Sequence, residues 1–232
     1  MKAPNLAPLI VALDVESAKD AQFLIRALGD SASFYKVGLE LYAAAGMDFV
    51  RELKQQGHRI FLDLKLYDIG ETVKRTVSQV ARTGVDLFTV HASRGVMRAA
   101  VAGRAESPLQ LLAVTVLTSV DDADLRDDGY SMTVRDLVEL RVRNAMADGV
   151  NGIVCSPLEV ARVREITGPD AVLVTPGVRS AGASTGDQKR VATPREALAG
   201  GATYLVIGRQ VTRAKDPRSE MLRIHHEIRG AR

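Results

Sequence analysis

Ile60-Phe61-Leu62-Asp63-Leu64, then an amphipathic stretch over Glu71–Thr83, then Leu87-Phe88-Thr89-Val90-His91 is the passage from which the fold can be read. Its two ends are mostly apolar at successive positions rather than alternating, the signature of strands buried on both faces of a parallel sheet. Between them Val73, Val77, Val80 and Ala81 recur at helical spacing, so one face of this segment is apolar. The passage therefore predicts a strand, a crossover helix and a second parallel strand.

The same unit recurs in both directions along the chain. Further strand-like runs occupy Leu9–Leu13, Phe34–Val37, Leu111–Leu117, Gly152–Cys155, Ala171–Thr175 and Tyr204–Ile207. Several helix starts are marked chemically. Ser156-Pro157 with Glu159, and Thr193-Pro194 with Glu196, each combine a capping hydroxyl, a proline at the first helical position and a capping-box glutamate. Asp216-Pro217 opens the last helix in a similar way. Eight strand–helix units within 232 residues predict one (β/α)₈ TIM barrel spanning residues 1–232. A doubly wound open sheet is the competing architecture. It would carry a Gly-x-Gly-x-x-Gly turn after an early strand if it bound a dinucleotide, whereas the first strand here runs into Leu13-Asp14-Val15-Glu16.

Composition narrows the function classes. Apolar residues make up 46% and charged residues 25%, enough of both for a buried core and a solvated surface. No apolar run approaches the roughly 18 residues of a membrane span, and no signal-peptide cleavage pattern precedes the first strand. The net charge of +3 comes from dispersed Lys and Arg, and aromatics are only 4% with no Trp, which argues against a nucleic-acid polymer as partner. A small anionic ligand suits that charge at least as well. The single cysteine, Cys155, lies in an apolar run and reads as a buried thiol; a cytoplasmic enzyme acting without membrane contact is the expectation.

In a barrel of this kind the active site lies at the C-terminal ends of the strands. Those ends supply Asp14, Lys36, Asp63 with Lys65, His91, Thr118, Ser156, Arg179 and Arg209. Asp63 and Lys65 are two apart on a strand and so point to the same face, towards the barrel axis. Asp68 lies just beyond, where a loop can redirect it. Two carboxylates beside an ammonium form a coupled charge array. Late in the chain, Pro176-Gly177-Val178-Arg179 leads into a long Gly- and Ser-rich segment, and strand eight ends in Ile207-Gly208-Arg209. The loops after strands seven and eight are the usual phosphate site of this fold, with Gly208 permitting close backbone approach and Arg209 a charged fork. No metal is expected. The four histidines lack ligand spacing, with His225-His226 read as a solvated helix face, and Lys36 would place a positive charge between Asp14 and Asp63 where a cation should sit.

These residues carry a family resemblance. Asp63-x-Lys65-x-x-Asp68, Pro176-Gly177-Val178-Arg179, Asp187-Gln188-Lys189-Arg190 and Val206-Ile207-Gly208-Arg209 resemble the signatures of bacterial orotidine 5′-phosphate decarboxylases. Val11-Ala12-Leu13-Asp14, Tyr35-Lys36-Val37-Gly38 and Leu117-Thr118-Ser119 match the same family in the same order, so the likeness runs from the first strand to the last. It implies a cofactor-free decarboxylation of orotidine 5′-phosphate to uridine 5′-phosphate, the last step of pyrimidine biosynthesis. Lys65 is then the proton donor, with Lys36, Asp63 and Asp68 completing the charged network. Asp14 and Lys36 would hold the ribose hydroxyls, Thr118 would help place the nucleotide, and Arg179, Gln188, Gly208 and Arg209 would hold the 5′-phosphate. The resemblance also implies a homodimer in which Asp68, Ile69 and Thr72 reach the partner's site.

The chain departs from the family in two places. Tyr67-Asp68-Ile69-Gly70-Glu71-Thr72 stands where the family usually has His-Asp-Ile-Pro-Asn-Thr, and His91-Ala92-Ser93-Arg94-Gly95 has Ser and Arg where small residues are commoner. Both bear on loop geometry and affinity rather than on reaction type. The nearest rival is a sugar-phosphate decarboxylase or aldolase-like synthase, which shares Asp-x-Lys-x-x-Asp but places an acidic metal ligand at the position of Lys36. A non-catalytic sensor of phosphate ligands would have no need of an inward lysine beside carboxylates.

Overall fold

A computed structural model describes residues 8–180 and 192–230. Eight parallel strands close into a barrel in sequence order: β1 (Leu9–Ala12), β2 (Phe34–Gly38), β3 (Arg59–Leu66), β4 (Leu87–His91), β5 (Gln110–Val114), β6 (Gly152–Val154), β7 (Val172–Thr175) and β8 (Tyr204–Ile207). β1 pairs with β8 through Leu9–Leu205, Ile10–Val206 and Val11–Ile207, which seals the ring. The (β/α)₈ TIM barrel read from the repeat is therefore the fold.

The helices are α1 (Ala18–Leu28), α2 (Leu39–Gln55), α3 (Gly70–Ala81), α4 (Arg94–Arg104), α5 (Asp122–Asp127), α6 (Val134–Ala147), α7 (Val160–Thr167), α8 (Pro194–Ala199), α9 (Arg209–Thr212) and α10 (Pro217–Arg229). Two of them, α5 and α9, are short additions that the repeat does not require. Thr193 and Asp216 cap α8 and α10 as the sequence implies, Thr193 reciprocally with Glu196. α7 corrects the third expected start. Ser156 Oγ accepts from Leu158 N at 3.2 Å and Ser156 N donates to Glu159, but the helix begins only at Val160.

Strand alternation divides the core. Ile10, Ala12, Phe34, Phe61, Leu87, Leu112, Val174 and Val206 fill the inside of the barrel. The intervening residues, among them Val11, Tyr35, Leu62, Phe88 and Leu111, pack outward against the helices. Burial of both faces explains the unbroken apolar runs. β5 is shorter than the run Leu111–Leu117. Thr115 and Val116 are buried but no longer paired, and Leu117 is exposed. An apolar run reports burial and not ladder pairing, so it overshoots where the chain leaves the sheet for the rim.

β3 is the irregular strand. Its pairing with β4 slips between Leu62 and Leu66, and Lys65 has φ +49°, left-handed backbone that is unusual for a residue with a long side chain. α3 and α4 pack very closely beside it. A Cβ on Gly103 would lie 2.3 Å from the Lys74 carbonyl oxygen, so only glycine permits that approach.

Candidate active site

The inward parity that places Phe34, Phe61 and Leu87 in the barrel places Lys36, Asp63 and Thr89 directly above them, at the C-terminal mouth. Asp14 follows two residues after Ala12. Lys36 Nζ donates to Asp14 Oδ1 at 2.7 Å and lies 3.9 Å from Asp63 Oδ2. Lys65 Nζ donates to the same Asp63 oxygen at 2.9 Å. The charges thus alternate, Asp14–Lys36–Asp63–Lys65. The inner pair is well sheltered, with the side chains of Lys36 and Asp63 only 11% and 14% exposed, whereas that of Lys65 is 34% exposed and faces the opening. Partial desolvation strengthens each of these attractions relative to water.

Thr89 ties the array to β4. Its hydroxyl donates to Asp63 Oδ1 at 2.9 Å and accepts from the Lys65 backbone N–H at 2.9 Å. Gly38 is the other silent member, since a Cβ there would come within 2.8 Å of Lys36 Nζ and 3.3 Å of Asp14 Oδ1. Reading side-chain chemistry alone misses both. The available signals were a hydroxyl at an inward position of an otherwise apolar strand and a glycine two residues after the lysine.

Asp14 and Lys36 also line a cavity of about 650 Å³ that extends to Pro176, Arg179, Gly208 and Arg209. Arg179 and Arg209 face it together, and burial, helped by repulsion from Arg209, holds the Arg179 guanidinium below its ordinary pKa. Arg179 Nη1 donates to the Val178 carbonyl, and Arg179 N is fixed by the Ala192 carbonyl at 3.0 Å. Gly208 begins the turn into α9, and its backbone leaves the wall of the cavity open beside Ala12. Two cations held at one mouth make a site for an anion.

Other expected residues fall differently. Thr118 lies in the turn after β5, partly exposed. Gln188 lies outside the described residues. Asp68 is exposed, and its Oδ1 accepts from the Ile69 N–H at 2.6 Å; it stands apart from the Asp14–Lys36–Asp63–Lys65 array of its own chain. Ile69 and Tyr67 are also exposed at the rim, and Thr72 lies partly buried in the first turn of α3. His91 packs edge-on against Tyr67 with ring centroids 4.8 Å apart, and burial, with Arg141 nearby, keeps it below the ordinary histidine pKa. Ser156 is fully buried in its turn and does not open onto the mouth. His225 is a correction as well. It is buried, with Nε2 2.9 Å from the Ser31 carbonyl, and only His226 is solvated.

Of the departures at α3 and α4, Arg94 has a structural use, and nothing in the structure requires a glycine at position 70. Gly70 is the first residue of α3, with Ala99 of α4 opposite it. Arg94 forks onto Asp148 at 2.8 and 3.0 Å.

A family model described as orotidine 5′-phosphate decarboxylase / HUMPS family matches residues 7–224. The chain belongs to this family. It is 54% identical over 223 residues to the orotidine 5′-phosphate decarboxylase of Rhodopseudomonas palustris strain BisB5, covering 96% of this chain and 95% of that protein. A Caulobacter vibrioides (strain NA1000 / CB15N) protein of the same name is 53% identical over 226 residues, covering 96% and 97%. Among solved structures, the orotidine 5′-phosphate decarboxylase of Lactobacillus acidophilus superposes with a TM-score of 0.84 at 37% identity, covering 95% of this chain and 98% of that one.

A second cavity, about 780 Å³, lies between α5, α6 and α7, bordered by Val120, Val138, Leu158 and Arg162. It is larger, and its charged lining pairs Glu139 with Arg162 at 2.9 Å and Arg135 at 3.7 Å, with no lysine among its lining residues. Among the described residues no group of three or more His, Cys, Asp or Glu side chains is placed to hold a metal ion, and no helix is long and apolar enough to cross a membrane.

Proposed function

We propose that the protein converts orotidine 5′-phosphate to uridine 5′-phosphate, with Lys65 as the proton donor. The observation that carries the mechanism is the alternating Asp14–Lys36–Asp63–Lys65 array, ending in a lysine that faces the mouth. Breaking the bond to the carboxylate releases CO₂ and leaves an electron pair on ring carbon 6. The Lys65 ammonium stabilises that charge as it develops and then delivers a proton to the carbon; water re-protonates the amine. Asp63, engaged by Thr89, Lys65 and Lys36, holds the ammonium in place before the substrate arrives. Rate accelerations of this size need on the order of 20 kcal/mol, more than a single lysine supplies. Preorganised charge and binding of the remote phosphate provide the rest.

Asp14 and Lys36 would take the ribose hydroxyls and Thr118 the base. Arg179 and Arg209, with Gly208 and Gln188, would take the 5′-phosphate. The 650 Å³ cavity is large enough for a nucleotide's sugar and phosphate and has the charge for them. Asp68, Ile69 and Thr72 would serve the neighbouring site of a homodimer. The sugar-phosphate branch of the same family is disfavoured because the Lys36 ammonium occupies the space between Asp14 and Asp63 where a cation would sit.

The direct test follows the fall in absorbance as purified protein is mixed with orotidine 5′-phosphate, before and after dialysis against a chelator. Turnover should be the same in both samples. Activity that disappears and returns with magnesium would move the protein to the sugar-phosphate branch. Lys65→Ala should abolish measurable turnover while uridine 5′-phosphate still binds within about tenfold, which is 1.4 kcal/mol. Near-normal turnover would remove Lys65 from the mechanism.

A further inference from the structure

We infer that Thr89 is a positioning residue for this reaction, holding Asp63 and Lys65 in register through a single hydroxyl group. The inference rests on the decarboxylase reading above. Thr89 is fully buried on β4 and belongs to the inward-facing set. Its one hydroxyl proton goes to Asp63 Oδ1, and a lone pair of the same oxygen accepts the Lys65 backbone N–H, each at 2.9 Å.

Neither bond is one that regular pairing provides. The β3–β4 ladder slips between Leu62 and Leu66, which leaves the Lys65 N–H to be satisfied by a side chain. At that residue the backbone is left-handed, φ +49°, and needs its surroundings to hold it there. With Oδ1 anchored by Thr89, the other carboxylate oxygen of Asp63 is turned to Lys65 Nζ at 2.9 Å and Lys36 Nζ at 3.9 Å. One oxygen atom therefore sets both the rotation of the carboxylate and the backbone from which the proton donor projects. Thr89 acts through these two residues and is assigned no contact with the substrate.

The test compares Thr89→Val, which keeps the branched shape and loses the hydroxyl, with Thr89→Ser, which keeps the hydroxyl. Turnover and KM on orotidine 5′-phosphate, binding of uridine 5′-phosphate and the melting temperature are measured for each. In Thr89→Val, kcat should fall about 100-fold, the scale expected when reacting groups shift by about an ångström, while KM and product binding stay within about threefold. Thr89→Ser should return to within about threefold of the parent.

If Thr89→Val does not fold, Thr89→Cys replaces it, and its kcat should fall at least about tenfold because a thiol is a weak donor. A kcat within threefold of the parent in the folded hydroxyl-free variant would overturn the inference, as would a Thr89→Ser loss equal to it. A loss confined to KM, or one that tracks melting temperature alone, would also overturn it, since that is what a purely structural threonine produces. Parent protein that fails to decarboxylate orotidine 5′-phosphate would bring down the functional reading and this inference together. A fully active Thr89→Val would sink only the latter.

Discussion

At the scale of single residues, the site depends on groups that have no reactive chemistry of their own. Gly38 lies beside the Lys36–Asp14 pair, and a methyl group there would press against the ammonium at 2.8 Å. The obstructed atom is the tip of a flexible side chain, so the fold can absorb the change by moving Lys36 aside. Gly38→Ala should therefore melt close to the parent protein, yet lose roughly 10- to 100-fold in kcat/KM because Lys36 leaves its place between two carboxylates. A melting temperature that collapses with activity would show instead that the glycine serves stability. Arg209 is expected to act on the substrate's far end. Removing one charged fork from a phosphate dianion should cost about 2–4 kcal/mol in kcat/KM, measured on the full nucleotide. Parent-like efficiency of Arg209→Ala would remove Arg209 from the phosphate site.

At the scale of elements, the helical layer is braced from outside. Arg94 and Arg98 on α4 both reach Asp148 at the C-terminal end of α6, and the Asp148 side chain is 3% exposed. Hydrogen bonding to Arg94 and then Arg98 lowers its pKa from the ordinary 3.8 to about 2. A carboxyl whose folded pKa is depressed stabilises the protein fully above its unfolded pKa and loses that contribution as pH falls through the folded one. This strut should therefore weaken between about pH 4 and pH 2. Asp148→Asn should destabilise by about 1–2 kcal/mol at pH 7, a figure kept modest because both arginines are about half exposed. The difference between variant and parent should narrow on acidification, read from denaturant midpoints at pH 7 and near pH 2.5. A gap that stays constant with pH would show that the Asp148 charge is not what joins α4 to α6.

At the scale of the whole molecule, Asp68 stands exposed at the rim, apart from the charged array of its own chain. It projects from the rim between Tyr67 and Ile69, which are 67% and 74% exposed, an unusual pairing of large apolar groups around a carboxylate. A two-fold partner would bury those side chains and place Asp68 at the neighbouring mouth. Lys65→Ala and Asp68→Ala should each be nearly inactive as homodimers. Mixed in equal amounts and re-associated, about half the dimers become hybrids with one intact site, so activity should recover to about a quarter of the parent. If subunit exchange is verified and nothing returns, Asp68 serves its own chain's site.

The barrel and its charged mouth were legible in the sequence because both follow from local rules. Strands buried on two faces are written as unbroken apolar runs, and the ionisable residues that end them fall where this fold gathers its chemistry. Spacing alone put Asp63 and Lys65 on one face, and Lys36 and Asp14 at neighbouring strand ends. What tertiary structure decided is how those groups are held. The Thr89 hydroxyl has its role only because the β3 ladder slips beside it, and the glycine at position 38 matters only because Lys36 folds back over it. His225 is buried against the carbonyl of Ser31, distant in sequence, and β5 stops at Val114 although its apolar run continues. Periodicity and composition report how far a residue is removed from water. Which partner it meets there depends on segments far apart in the chain, and only the closed barrel brings those together.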